Sequence, residues 1–246
     1  TNNYLSKIKV ENCDGPIYLR GFIVDGESST TTGIGVYNCN GLTLENCGAM
    51  RSTEIGFDIK NSNIDLRRQA FAGRNYASNR RGQSTTYGFK ITNSDVNFVT
   101  DSYVSGGAST FASHFHDYGL YLENSIVRGG DLCNSTSDHS NTFYTDLGYN
   151  KTGIYCSNSK YAMDGVTNVY GSYNNIEAKD SNIEVEQLRS SYCQNIGLLM
   201  DNSNFRYNKN LNSSAVGQFS QINVVTGASG ANYPILFVKN GQHIVL

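Results

Sequence analysis

One phrase recurs eight times in the 246 residues: an apolar residue, a variable one, a second apolar residue, another variable one, then Asn or Asp, then Ser or Cys. It begins at Ile8, Ile34, Phe57, Phe89, Leu120, Ile154, Ile176 and Leu198. Its fifth position is filled by Asn12, Asn38, Asn61, Asn93, Asn124, Asn158, Asp180 and Asn202. Alternation of apolar and polar residues marks a half-buried strand. Asn tolerates the left-handed backbone that a sharp corner requires. The phrase is therefore a strand ending in a corner, and its recurrence makes the chain a repeat protein.

Successive corners lie 26, 23, 32, 31, 34, 22 and 22 residues apart. The shortest spacing fits three short strands and three corners. Such a coil cannot bury its apolar side alone, but it can when stacked on its neighbours at about 4.8 Å. Successive copies run in one direction, so the sheets are expected to be parallel. The corner side chains are expected to stack into a ladder that satisfies neighbouring backbone groups. Asn93→Leu, in mid-stack, should then cost about 1–3 kcal/mol.

Composition agrees with strands and corners: there are 25 Gly but only 2 Pro, with few leucines and alanines. A net charge of −2 gives no footprint for nucleic acid, and no stretch is long and apolar enough for membrane insertion. The chain opens at Thr1 without a signal peptide and reads as processed or as a fragment, with neighbouring domains expected as partners. Cys13 and Cys39 fill the position after the corner, where other copies carry Ser. They lack CxxC spacing and read as stacked small side chains, not as a disulfide or a zinc site. No cofactor is expected, and no metal site. His114, His116 and His139 form a weaker candidate for metal than the carboxylates do for catalysis. Acceptor patterns for glycosylation at Asn134, Asn150 and Asn212 fit coincidence in so Asn-rich a chain.

The phrase with its leading glycine, as in Gly88-Phe-Lys-Ile-Thr-Asn-Ser94 and Gly153-Ile-Tyr-Cys-Ser-Asn-Ser159, resembles the right-handed parallel β-helix of pectate lyases and of bacteriophage tail spikes. The resemblance covers roughly residues 5–210. It implies an all-β solenoid of about eight to nine coils with an Asn ladder at one corner. The handedness follows from the resemblance and from the general rule for parallel crossovers. It also implies a homotrimer, as is common for tail spikes, which would bury outward residues such as Val99 and Tyr121. The phrase stops after residue 210. Residues 211–246 read as a C-terminal β segment, a cap or a subunit contact, with a hairpin signal at Asn240-Gly241.

Three consecutive coils carry about ten surplus residues. They are read as long loops at about 68–87, 100–118 and 130–152, side by side at one corner. Long loops on a rigid scaffold are where function concentrates. They contain Tyr76, Arg80, Tyr103, Phe111, His114, His116, Phe143 and Tyr144, the candidate carbohydrate-binding residues: rings stack on sugar faces and Arg pairs with carboxylates.

Outward positions of the second strand form columns. One runs Thr43, Asp65, Asn97, Arg128, Ala162, Glu184, Arg206; the next contains Glu45, Arg67, Val99, Asp164, Glu186 and Asn208. Asp164, Glu184 and Glu186 thus cluster on adjacent coils, with spacings of about 5–7 Å that suit paired carboxylates in glycoside hydrolysis. The alternative is a solvated charged face with Arg206 neutralising Glu184. The calcium-binding Asp cluster of pectate lyases is missing, so their activity does not carry over.

Three functional readings follow. The first is a structural adhesin of the tail-spike or tail-fibre type, located in the virion tail, that binds host-surface polysaccharide. The second is a polysaccharide-degrading enzyme, a glycosidase or lyase, using Asp164, Glu184 and Glu186. The third is a purely structural rod. An extracellular or bacterial-surface protein would show the same features.

Overall fold

The structure is a computed structural model that describes residues 5–27, 29–72, 85–99, 110–129, 140–145, 152–170, 174–193, 196–207, 223–226, 236–239 and 243–245. Among them every element is a strand, and every pairing between named strands is parallel. The strands join into one continuous sheet wound as a parallel β-helix. No helix of the described residues is long and apolar enough to cross a membrane.

Three faces make up each turn. The first face is the recurring phrase itself. Ile34 pairs with Phe57, Phe57 with Phe89, Phe89 with Leu120, Leu120 with Ile154, Ile154 with Ile176, Ile176 with Leu198 and Leu198 with Leu236. The second face follows the corner, stacking Leu42, Ile64, Val96, Val127, Tyr161, Ile183, Phe205 and Ile244 in register. A third face runs through Val24, Ala49, Ala72, Ser113, Phe143, Val169, Ser190 and Val224. The described members of the inward columns are buried, with Ile34, Val36, Phe57, Ile59, Phe89 and Leu120 all at 0% exposure. Phe57 and Phe89 stack at 4.6 Å between centroids, so the core is a set of side-chain ladders rather than a central cluster.

All eight predicted corner residues adopt the left-handed conformation, with φ between 46° and 56°. Their side chains form an exposed ladder. Asn38 donates to Asn12 at 3.1 Å, Asn61 to Asn38 at 3.1 Å, Asn93 to Asn61 at 3.3 Å, Asn124 to Asn93 at 3.2 Å and Asn158 to Asn124 at 2.9 Å. Asn202 donates to Asp180 at 2.6 Å, and the Asp180 carboxylate has no hydrogen to pass on toward Asn158.

The serine after the corner, from Ser62 to Ser203, does the backbone bonding expected of the Asn ladder. Here the sequence-based expectation is corrected. The backbone N–H of Ser94 donates to Ser125 Oγ, that of Ser125 to Ser159 Oγ and that of Ser159 to Ser181 Oγ, all buried and at 3.0–3.1 Å. Each of these serines donates its own hydroxyl hydrogen to the carbonyl two residues back, as from Ser125 to Glu123 at 2.7 Å. The Asn side chains bond to one another, while the buried backbone is satisfied by Ser, whose single oxygen accepts and donates at once.

The glycine that opens the phrase has a steric cause. A Cβ on Gly56 would lie 2.6 Å from the Gly88 carbonyl oxygen and 2.7 Å from Ala72 Cβ, and one on Gly33 would lie 2.9 Å from Ala49 Cβ. In these two coils the first and third faces meet at this edge with Gly against Ala, whereas the copy that begins at Ile176 buries Asn175 there.

Two segment boundaries differ from expectation. The surplus residues are not all loop. Asn63–Ala72, Thr110–Glu123 and Ser140–Thr145 are strands, and they supply the third face. The spacing leaves room for this third strand, but Gln, Ser, His and Thr interrupt its apolar alternation and hide its position. At the C-terminal end, Leu236–Lys239 pairs parallel with Ile196–Asp201 and His243–Val245 with Asn204–Tyr207. This segment takes the capping position as a ninth coil rather than as a hairpin. Lys239 stands opposite Asp201, so Asn240 follows it as Asn202 follows Asp201. Asn240 and Gly241 themselves lie outside the described residues.

Candidate functional site: a tyrosine array on the first face

The outward columns of the first face hold the most concentrated recognition chemistry among the described residues. Aligned on the corner residue, Tyr87 and Tyr118 fall six positions before it, and Lys90, Tyr121 and Tyr155 three before. The parallel register then stacks Tyr87 on Tyr118, Lys90 on Tyr121 and Tyr121 on Tyr155. Tyr87 and Tyr118 lie parallel with centroids 5.4 Å apart, and Tyr121 and Tyr155 likewise at 5.0 Å. Between the two columns the rings meet edge to face. Tyr87–Tyr121 is 5.3 Å, Tyr118–Tyr121 5.6 Å and Tyr118–Tyr155 6.0 Å. This herringbone is the arrangement that ring quadrupoles favour.

All four rings are half-buried, so the array is a surface patch and not core. Its margin is charged and polar. The Lys90 ammonium lies 5.0 Å from the Tyr87 ring centre. Glu177 follows Tyr155 in its column and accepts hydrogen bonds from Thr152 and Asn174, each at 3.4 Å. Burial, then the neighbouring Tyr87 and Glu177 charge, pushes the Tyr118 hydroxyl above its ordinary value. Burial, with Glu123 next, pushes Tyr121 up to about 12. Both phenols therefore stay protonated at neutral pH and can donate as well as accept. Interlocked rings lose little freedom when a ligand settles on them.

The residues singled out from sequence fall in different places. Tyr76, Arg80 and Tyr103 lie outside the described residues. Phe111, His114 and His116 belong to the strand Thr110–Glu123, and Phe143 and Tyr144 to Ser140–Thr145; none of these sits in a loop. Phe111 stands in register with the fully buried Ala70, and Phe143 with the fully buried Val169. These positions are third-face strand, which corrects their assignment to a loop wall.

The first carboxylate column is as expected, with Asp65, Asn97, Arg128, Ala162, Glu184 and Arg206 in register. The partner of Glu184 is Lys160, at 3.0 Å, rather than Arg206. The second column is broken. A register shift between Met163 and Val166 sets both Asp164 and Gly165 opposite Glu186. Glu45, read as outward, is buried between Arg20 and Arg68, at 3.3 and 3.2 Å. No group of three or more metal-ligating side chains occurs among the described residues.

Sequence reasoning missed Tyr87 and Tyr155 because columns were drawn only on the second strand. The offsets of six and three residues from the corner Asn would have found them. No protein-family model, no curated protein and no solved structure matches this chain.

Proposed function

We propose that the chain is a stiff segment of a tail-spike or tail-fibre type appendage that binds host-surface polysaccharide through the tyrosine array. The observation that carries this reading is the contiguous, half-buried patch of Tyr87, Tyr118, Tyr121 and Tyr155 over three successive coils. Polysaccharides present apolar C–H faces and dense hydroxyls. Rings with neutral phenol hydroxyls, edged by a carboxylate and an ammonium, match both features. The hydrogen-bonded ladders give the segment the stiffness an appendage needs. In this reading it assembles as a homotrimer on a virion, or on a bacterial cell surface.

The test is a binding screen against bacterial surface polysaccharides, run with the wild type and with Tyr118→Ala and Tyr121→Ala. Each substitution is expected to weaken binding at least tenfold, consistent with losing about 1.4 kcal/mol or more. Binding unchanged in folded variants would remove the array from the function. Release of reducing ends that disappears in a Glu184→Gln, Glu186→Gln double variant would favour the enzyme reading instead.

A further inference from the structure

The corner ladder changes character at one step. Where serine follows serine, a buried N–H bridges the coils by bonding the next hydroxyl oxygen. Cys39 joins that system, its N–H donating to Ser62 Oγ at 3.0 Å and its thiol donating to the Tyr37 carbonyl at 3.3 Å. Cys13 and Cys39 occupy successive coils in exact register, and their sulfurs lie 2.9 Å apart. In-register neighbours on adjacent parallel strands fall within the Cα separation that a disulfide spans. Cys47 and Cys156, by contrast, are buried, and neither has a cysteine opposite it in register.

The coil this pair would tie down is sparsely covered. The strand Ile8–Asp25 pairs along its length with Thr32–Met50, and on its other side only Val24 is bridged, by Leu5, among the described residues. It carries Ile17 at 37%, Tyr18 at 52% and Ile23 at 37% exposure. Local opening of a stack is easiest at a coil with few neighbours.

We propose that Cys13 and Cys39 form a thiol–disulfide staple that locks the first coil onto the second when a small-molecule disulfide oxidant is present. One protein thiolate attacks the oxidant's S–S bond, giving a mixed disulfide and releasing one small thiol. The second protein thiolate then attacks the mixed disulfide and releases the other. Two protein S–H bonds are exchanged for one S–S bond, and the oxidant leaves as two thiols. The Cys39 thiol beside it, then burial, pushes Cys13 up to about 11, so the first attack is slow at neutral pH and speeds up in alkali.

The experiment incubates the folded wild-type chain with oxidised glutathione at about pH 9, followed by acid quench and peptide mapping without reductant. A linked peptide joining Cys13 to Cys39, with loss of the mass of two hydrogens and reversal by dithiothreitol, is the expected result. The linked form should also show slower hydrogen exchange across Ile8–Asp25 than the reduced form. Cys39→Ser should abolish the link and still fold, because serine is the usual occupant of this corner. Unlinked thiols, stable glutathione adducts, or a link between two molecules would each overturn the proposal.

Discussion

The Ser125 hydroxyl makes three contacts at one buried corner, its single hydrogen shared between two carbonyls. It accepts from the Ser94 N–H at 3.1 Å and donates toward the Glu123 and Ile91 carbonyls at 2.7 and 3.2 Å. Ser125→Ala leaves the Ser94 N–H without its acceptor and should destabilise the chain by about 1–3 kcal/mol. The exposed Asn93 side chain carries no buried backbone group, so Asn93→Ser should cost less in the same denaturation experiment. Asp25 gives a pH-dependent counterpart. Burial opposes its ionisation, but the Arg51 guanidinium and the Glu27 N–H outweigh that and hold the carboxyl below its ordinary value. A lowered folded-state value means the contribution is complete above the unfolded value of about 3.9 and is lost as pH falls through the folded one. The stability gap between wild type and Asp25→Asn should therefore be constant above about pH 5 and close on acidification. A gap that widens toward low pH would contradict this assignment.

An element in this fold is one coil, and in the coils of Gly33 and Gly56 its closure depends on the contact between Gly and Ala. Gly56→Ala forces a methyl group against the Gly88 carbonyl and Ala72, and should cost about 1–3 kcal/mol. Ala72→Gly in the same chain relieves only the side-chain half of that clash, so the double variant should recover part of the loss. Equilibrium unfolding of the two variants checks both statements. Much of the coil was legible beforehand: alternation located the first and second faces, and the corner Asn fixed the register of the first to the residue. The third face was not legible, because Thr110–Glu123 and Ser140–Thr145 carry His, Ser and Thr among their apolar residues. Its strands are set by what they stack on, as Phe143 is by Val169.

Among the described residues, each coil pairs with the coils above and below it, so stability should vary along the axis. Hydrogen exchange should be slowest in the coils around Phe57, Phe89 and Leu120, which are covered on both sides, and fastest across Ile8–Asp25. Uniform protection from end to end would mean the array opens as one unit. The tyrosine array belongs to this scale as well. No single coil contains it, since two columns from three coils must come into register before the rings interlock.

The sequence by itself determined the repeat, the left-handed corners, the parallel stacking and the second-face column from Thr43 to Arg206. Each of these follows from local alternation and from one residue type at one position. Only the tertiary structure decided the roles. Ser rather than Asn satisfies the buried backbone, because it is the one facing inward. Glu184 pairs with Lys160, and Glu45 is enclosed by two arginines, because side-chain reach between coils chooses the partner. The two cysteines touch, and four tyrosines become one surface, because stacking brings together residues that lie some thirty positions apart in the chain.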